Sequence, residues 1–578
     1  MKPLRIARHA VSGVGDDWPA TMHPVLRRVY AARGVVSPAG IDHRLACLIT
    51  PDALGGLQQA CEILEVAIRT HRRIVVVGDF DADGATGTAV AVRGLRLLGA
   101  REVAYCVPNR LVHGYGLSPA LVDTLYALQP DLIVTVDNGV AAHAGVAAAR
   151  ARGIDVIVTD HHLPGTCLPD ANAIVNPNLD DDAFPSKALA GVGVMFYVLL
   201  ALRARLRDCG WFVQCAKVEP DLSQLLDLVA LGTVADLVPL DRNNRVLVAA
   251  GLRRIRAGKA CAGINALVIA SKRNGETLTA TDLGFAIGPR INAAGRLDDM
   301  SLGIECLLSD DDAKAQVLAE RLSAINSERR ELQAQMVDEA EASVLRFVNK
   351  YGNAALPVGV VLHESDWHAG VVGLVASKLK ERLHRPVIAF ACPAEGGDEM
   401  KGSGRSIAGF HLRDALAEVD AQRPGLIERY GGHAMAAGLT LRGGQLAEFA
   451  AEFDAVARRL LGADALESVL WSDGELLPDE YDLALARELQ FGGPWGQGFA
   501  EPLFDDEFEL VDWRLMGETH LRLRLAHRGR REPLDAVMFG GYTGTAPPAR
   551  LRAAFQLSIN DWNGRESLRL LLRHLHPV

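Results

Sequence analysis

In RRIVVVGDFDADG, residues 72–84, four consecutive β-branched residues run into aspartates at every second position, Asp79, Asp81 and Asp83, closed by Gly84. A short apolar run ended by a glycine fits a strand buried on both faces. Aspartates at alternate positions gather oxygen donors for a cation. The run matches the first six positions of an EF-hand calcium loop, but the twelfth position, where that loop needs a glutamate, is Val90. An EF-hand loop is also entered from a helix, and RRIVVV reads as a strand. Two readings remain at this point: a carboxylate site for a hard divalent ion at a strand end, or a solvated turn. On the first, the following helix starts near Thr86 and offers its positive end to a phosphate.

Outward from this stretch the same grammar repeats. EVAYCVP (102–108), DLIVTVDNG (131–139) and GIDVIVTDHH (153–162) are strand-like runs separated by alanine-rich helical stretches, the signature of a doubly wound parallel α/β sheet. Such sheets bind ligands beyond the carboxyl ends of their strands. One run ends in Asp137, another in Asp160, His161 and His162. Asp137 alone could cap a helix, and the histidines could form a hydrogen-bonded structural cluster. Carboxylates converging from three strand ends need a counter-charge. Asp236, the lone acid after the apolar part of LLDLVALGTVADLVPL (225–240), is a fourth contributor, although singly it would read as a helix terminus or a salt-bridge partner. Aspartates with histidine and no thiolate suit manganese or magnesium.

Residues 310–350 lack glycine and proline and predict one long helix. A second α/β block runs from PVGVVLHES (357–365) to about 460. After Trp471 the pattern changes to alternating strands, including THLRLRLAHRGRR (519–531) and a hairpin turning at Asn563-Gly564, as in a small β-barrel. His520, Arg522 and Arg524 alternate with leucines, so one face of that strand is expected to be basic and to meet a phosphate backbone, a solvated outer face being the alternative. The expected layout is an N-terminal extension (1–45), a catalytic α/β domain (46–309), a connecting helix (310–350), a second α/β domain (351–462) and the barrel (463–578).

A chain of 578 residues exceeds a single core. Its 49% hydrophobic and 23% charged residues and mean hydropathy of +0.10 are those of a soluble globular protein. The apolar runs are too short to span a bilayer, and the N-terminus has no secretory apolar core, so a cytoplasmic protein is expected. Nine cysteines, without a CxxC pair, argue for reduced thiols. The net charge of -10 weighs against a general polyanion binder but leaves room for a local basic channel. GxSxG and GxxxxGK[ST] motifs are absent, which argues against a serine nucleophile and against ATP hydrolysis.

GDFDADG, VDNG, TDHH and GTVADL, in this order, resemble the four motifs of the DHH phosphoesterase superfamily. NRLVHGYGL (109–117), IGPRINAAGRL (287–297), SDWHAGVVGLVASKL (365–379), GSGRSI (402–407) and GGHAMAAG (431–438) resemble its bacterial single-strand-specific exonucleases, which carry a DHH-associated domain and an OB-fold barrel. One departure is GQGFAEPLF (496–504), where a glycine-asparagine-proline turn is expected.

The resemblance implies two divalent ions, manganese with magnesium as substitute, held by Asp81, Asp83, Asp137, His161 and Asp236, with Asp137 bridging. Asp79 and Asp160 would orient the ligands and His162 would touch the scissile phosphate. Arg110, Ser403 and Arg405 match positions that bind a 5′ phosphate. Arg290, Arg296 and His433 match positions that contact DNA, whereas Trp367 and His368 would support the core of the second domain. The implied activity is 5′ to 3′ hydrolysis of single-stranded DNA to mononucleotides in recombination, repair and mismatch repair. A helicase and a single-strand-binding protein are the expected partners, and a monomer the expected state. The alternatives are a phosphodiesterase of oligonucleotides or cyclic dinucleotides, and an inactive single-strand-binding scaffold.

Overall fold

The computed structural model describes the chain apart from residues 1–3, 12–16, 110–112, 352–355, 365–366, 368–371, 392–396, 433, 543 and 563, and the side chains of 336–351, 463–464 and 562. The chain forms two compact units. Residues 10–329 and 473–578 make the first, and residues 1–9 and 330–472 the second.

In the first unit five parallel strands, β1 (Ile74–Val77), β2 (Val103–Cys106), β3 (Leu132–Val136), β4 (Asp155–Thr159) and β5 (Ala173–Val175), form one sheet in the order β2-β1-β3-β4-β5. Every residue of β1 is fully buried, as its unbroken β-branched run requires. The strand order reverses beside β1, so the crevice at the carboxyl ends of β1 and β3 is the place where such a sheet receives a ligand. Helix α1 (Ala82–Leu98) is alanine- and glycine-rich because it lies between the sheet and helix α2 (Gly191–Asp208). A Cβ on Gly94 would stand 2.2 Å from a methyl of Leu199, so glycine lets the two helices pack here without displacing that side chain.

Helix α1 begins at Ala82, one turn before the expected Thr86. Asp81 is its N-cap and accepts a hydrogen bond from the Gly84 N–H at 3.0 Å. The loop's own carboxylate therefore occupies the helix terminus that was expected to face a phosphate. Helices α3 (Leu226–Ala235), α4 (Arg242–Arg256) and α5 (Gly288–Leu297) complete the catalytic body. Helix α6 (Asp312–Tyr351) is continuous over forty residues, as its composition predicts.

The second unit holds strands β6 (Val360–His363), β7 (Val387–Phe390), β8 (Glu399–Arg405), β9 (Arg429–Gly432) and β10 (Ala436–Arg442), with helix α7 (Val372–Leu383) between β6 and β7. Its sheet, β9-β10-β8-β7-β6, is mixed, with only β6 and β7 parallel. Trp367 is buried against Val360 and Val372, the supporting role expected of it. His368 lies outside the described residues.

Helix α8 (Leu483–Phe491) leads into a closed barrel of β11 (Phe504–Met516), β12 (His520–His527), β13 (Leu534–Met538), β14 (Arg550–Trp562) and β15 (Arg565–Pro577), ordered β11-β12-β13-β15-β14. Leu521, Leu523 and Leu525 point into the barrel, with Arg522 half-buried and Arg524 exposed, as the alternation requires. The outer face is not uniformly basic, however. Arg522 is paired with Asp535 at 2.8 Å, Arg524 faces Asp512 and Asp535 in the strand register, and His520 Nδ1 accepts the Gly540 N–H. The departing segment GQGFAEPLF fastens the barrel to the catalytic body. Leu240 N–H donates to Gln497 O at 2.7 Å and the Arg245 guanidinium lies 4.2 Å from the Phe499 ring centre. No helix among the described residues is long and apolar enough to cross a membrane.

Candidate metal centre

The first unit gathers Asp79, Asp81, Asp83, Asp137, Asp160, His161, His162 and Asp236 around the carboxyl ends of β1, β3 and β4. Asp79 and Asp81 belong to the loop after β1, and Asp83 to the first turn of α1. Asp83 is fully buried and accepts the Gly191 and Val192 N–H groups at 2.6 and 2.9 Å, so it also caps α2. Asp137 follows β3 in the left-handed region, with φ of 63°. Asn138 makes that turn possible by donating to the main-chain oxygens of Val77 and Val136, which ties the ends of β1 and β3 together. A Cβ on Gly191 would come 2.5 Å from Asp137 Cβ, so glycine is required where α2 meets this carboxylate. Asp236 is the C-cap of α3.

Three overlapping groups of donor atoms result, one of them Asp137 with His161 and His162. Those of Asp79, Asp81 and Asp137 lie within 4.8 Å of one another, and so do those of Asp83, His161 and Asp236. Asp137 Oδ1 is 3.0 Å from His161 Nε2, which in turn is 3.5 Å from Asp236 Oδ2, so Asp137 stands where the groups meet. Asp79, which the resemblance placed beside the ligands, shares a group with Asp81 and Asp137.

Like charges at this density oppose ionisation. Burial, then the neighbouring Asp81, pushes Asp79 up to about 7. Burial followed by the surrounding carboxylates likewise raises Asp83, Asp137 and Asp236. Asp79 Oδ1 and Asp137 Oδ1 are buried without a hydrogen bond among the described residues. Oxygen donors with one imidazole and no thiolate, several of them raised and two unsatisfied, fit hard divalent cations.

Asp160 differs. Its oxygens accept the Val140, His161 and His162 N–H groups and His162 Nδ1, the last at 2.8 Å. Burial opposes its ionisation, but the bond to His162 and the backbone donors outweigh it and hold the carboxyl below its ordinary range. In return, burial would lower His162, and the bond and charge of Asp160 hold it above its ordinary value. Asp160 thus fixes the imidazole's orientation, and its own oxygens are taken up by these donors.

Four residues that sequence reasoning passed over brace the site. Asn138 is one. Asn178 and Asn176 donate to the carbonyl oxygens of His161 and His162 at 2.5 and 2.8 Å, and the signal for them was the polar NPN run directly after β5. Tyr115 O–H donates to the Asp137 carbonyl at 3.2 Å while its ring lies edge-on to Phe80 and His162.

Of the residues expected to bind DNA, Arg290 donates from Nε to Ser323 Oγ at 2.7 Å and from its other nitrogens to the carbonyls of Ala286 and Ala270, tying α5 to α6. Arg296 is exposed near the end of α5. In the second unit Arg405 Nη1 donates to Ser403 Oγ at 3.1 Å. A Cβ on Gly373 would stand 3.2 Å from both Arg405 Nη2 and Ser403 Oγ, so the pair lies against the first turn of α7. Arg110 and His433 lie outside the described residues.

Family models match three parts of the chain: DHH family, N-terminal domain, over 73–233; DHHA1 domain over 353–459; and RecJ OB domain over 472–574. That combination defines a DHH-type protein with an appended OB barrel. A protein of Dickeya dadantii named single-stranded-DNA-specific exonuclease RecJ is 52% identical over 565 residues, 97% of each chain, and the one of Escherichia coli is 49% identical over the same shares. The crystal structure of RecJ in complex with Mn2+ from Thermus thermophilus has a TM-score of 0.76 at 34% identity, covering 96% of this chain and 76% of that one. A further structure of that protein is in complex with Mg2+ and has a TM-score of 0.70 at 32% identity, covering 96% of this chain and 75% of that one. The chain belongs to the RecJ family of single-stranded-DNA-specific exonucleases.

Proposed function

We propose that the chain hydrolyses single-stranded DNA from its 5′ end, releasing mononucleotides, with two divalent ions, manganese or magnesium, held by Asp79, Asp81, Asp83, Asp137, His161 and Asp236. The observation that carries this reading is the meeting of two donor groups on Asp137. Bound there, a pair of hard divalent ions supplies Lewis acidity, bringing the pKa of water toward neutrality and offsetting charge on the reacting phosphate. Asp137 presents its carboxylate to both groups because its left-handed backbone is locked by Asn138 and Tyr115. Asp83, held by two backbone N–H groups, cannot swing away. His162, oriented by Asp160, whose bond and charge outweigh burial and raise it above its ordinary value, meets the scissile phosphate.

In the second unit Arg405 and Ser403, against the first turn of α7, bind the terminal phosphate; Arg110, the other expected contact, lies outside the described residues. That contact selects a 5′ end. Arg296 and His433 contact the strand, while Arg290 secures α5 against α6. The enzyme acts in recombination and repair, in the cytoplasm, as a monomer on strands supplied by a helicase and a single-strand-binding protein.

The test offers 5′-phosphorylated single strand, duplex and dinucleotide to the enzyme with manganese. Mononucleotides released from the long single strand alone are the expected result. Cleavage of dinucleotide only would point to an oligonucleotide phosphodiesterase, and no cleavage to a binding scaffold.

A further inference from the structure

Within the first unit, between the catalytic body and the barrel, lies a cleft of about 880 Å³ that includes none of the eight residues of the metal centre. Helix α4 forms one wall and strands β14 and β15 the opposite one. The cleft is lined by five Lys or Arg against three Asp or Glu, in a chain whose total is 61 against 71; Arg273 is paired with Asp282 at 3.3 Å and Arg573 lies 4.0 Å from Glu501, which leaves Arg253, Arg256 and Lys272 against Asp561. An inverted balance concentrated in one concavity is the electrostatic form of an anion site.

Its centre is a pair of arginines one turn apart on α4, Arg253 and Arg256. The hydrogen bonds of these two guanidiniums among the described residues go to main-chain carbonyls, Arg253 Nη2 to His43 O at 2.9 Å and Arg256 Nε to Leu278 O at 2.8 Å. Those bonds fix the side chains and leave their charge to the cleft. Burial opposes the charge of both guanidiniums, and at Arg256 the neighbouring Arg253 adds to it while Asp282 offsets part, so a dianionic or diester phosphate between the two arginines would relieve the pair. Beside them the ring of Phe491 is 41% exposed with the Arg256 guanidinium 4.9 Å from its centre. A planar base could extend that stack. On the barrel side Arg573 is held by two hydrogen bonds to Gln556 Oε1.

We infer that this cleft is a second nucleotide site, in which Arg253 and Arg256 take a phosphate and Phe491 receives a base. Thr281 on its rim is eleven residues before Asn292, whose Oδ1 accepts the Ala82 N–H of the metal loop at 2.7 Å. The ligand is either the substrate strand itself, 3′ of the cut, or a free nucleotide. The first source rests on the nuclease reading above, and the second does not.

The test compares wild type, R253Q/R256Q and F491A, with R253K/R256K as the conservative variant and thermal melting as the control for folding. With manganese, KM and kcat are measured on 5′-phosphorylated strands of about 30 and about 4 nucleotides; with chelator, binding of the long strand and of a deoxynucleoside monophosphate is measured by anisotropy and calorimetry. A strand site predicts a KM about tenfold higher on the long strand only, with kcat unchanged and partial rescue by lysine. A free-nucleotide site predicts lost monophosphate binding at unchanged KM. Either supports the inference. Unchanged KM together with unchanged binding overturns it, as does an equal rise in KM on both lengths. If the wild type cuts nothing, the nuclease reading fails, and the two binding measurements still decide the cleft.

Discussion

The metal centre and the outer face of the barrel are both rich in charge, and they use it in opposite ways. At the metal centre carboxylates of one sign are buried together, several raised by burial and by one another, with Asp79 Oδ1 and Asp137 Oδ1 unsatisfied among the described residues. On the barrel Arg522 is paired with Asp535, and Arg524 stands between Asp512 and Asp535. Unbalanced buried charge points to a missing partner of opposite sign, whereas the barrel's arginines have acids beside them that offset their charge.

The largest expected effect lies at the residue where the two donor groups meet. Asp137→Asn should lower kcat by at least about a thousandfold, because it withdraws one anionic donor from both cations. Asparagine tolerates the left-handed backbone, and removing a repelled buried carboxylate should leave the metal-free Tm equal or higher. Steady-state kinetics and thermal melting of the same sample check both halves, and a variant that keeps most of its turnover would erase the contrast.

Next comes the dependence on pH and metal. In the metal-free fold Asp79, Asp83, Asp137 and Asp236 lie above their ordinary value of 3.8, so between that value and their raised ones the folded state holds more protons than the unfolded state. Their contribution to stability therefore falls as pH rises through that window, and His162, raised as well, acts in the same direction. The Tm of chelated protein should drop between about pH 5 and 8, and the increment restored by manganese should grow over the same range because cations compete with protons for the donors. An increment that shrinks with pH would remove the carboxylates from the ion's coordination.

Asp160→Asn should cost about 10- to 100-fold in kcat, through loss of His162 orientation and charge, while the manganese affinity changes little. An equal loss of metal affinity would make Asp160 a ligand. The smallest effect is expected on the barrel. Arg522→Gln and Arg524→Gln should each change KM less than about twofold, since Asp512 and Asp535 already balance that face. A fivefold rise would return the basic-face reading.

Much of this contrast was legible in the chain. The parallel sheet and the long helix follow from apolar runs and composition, and the eight residues stand out at or near the ends of such runs because strand ends are local in sequence; their joint role as a cation site came from the motif resemblance. What was not legible depends on distant pairings. Asp81 caps its own helix, so α1 begins at Ala82. Arg290 is drawn to Ser323, and Arg524 stands in register with acids on two neighbouring strands. Asn138, Asn176 and Asn178 brace the centre through main-chain oxygens that only the folded sheet brings to them.

Anomalous diffraction from crystals soaked in manganese at neutral pH tests the shared carboxylate most directly. Two peaks should flank Asp137, one toward Asp79 and Asp81 and the other toward Asp83, His161 and Asp236, and Asp137→Asn should weaken both. A single peak, or two that the substitution leaves unchanged, would contradict the account.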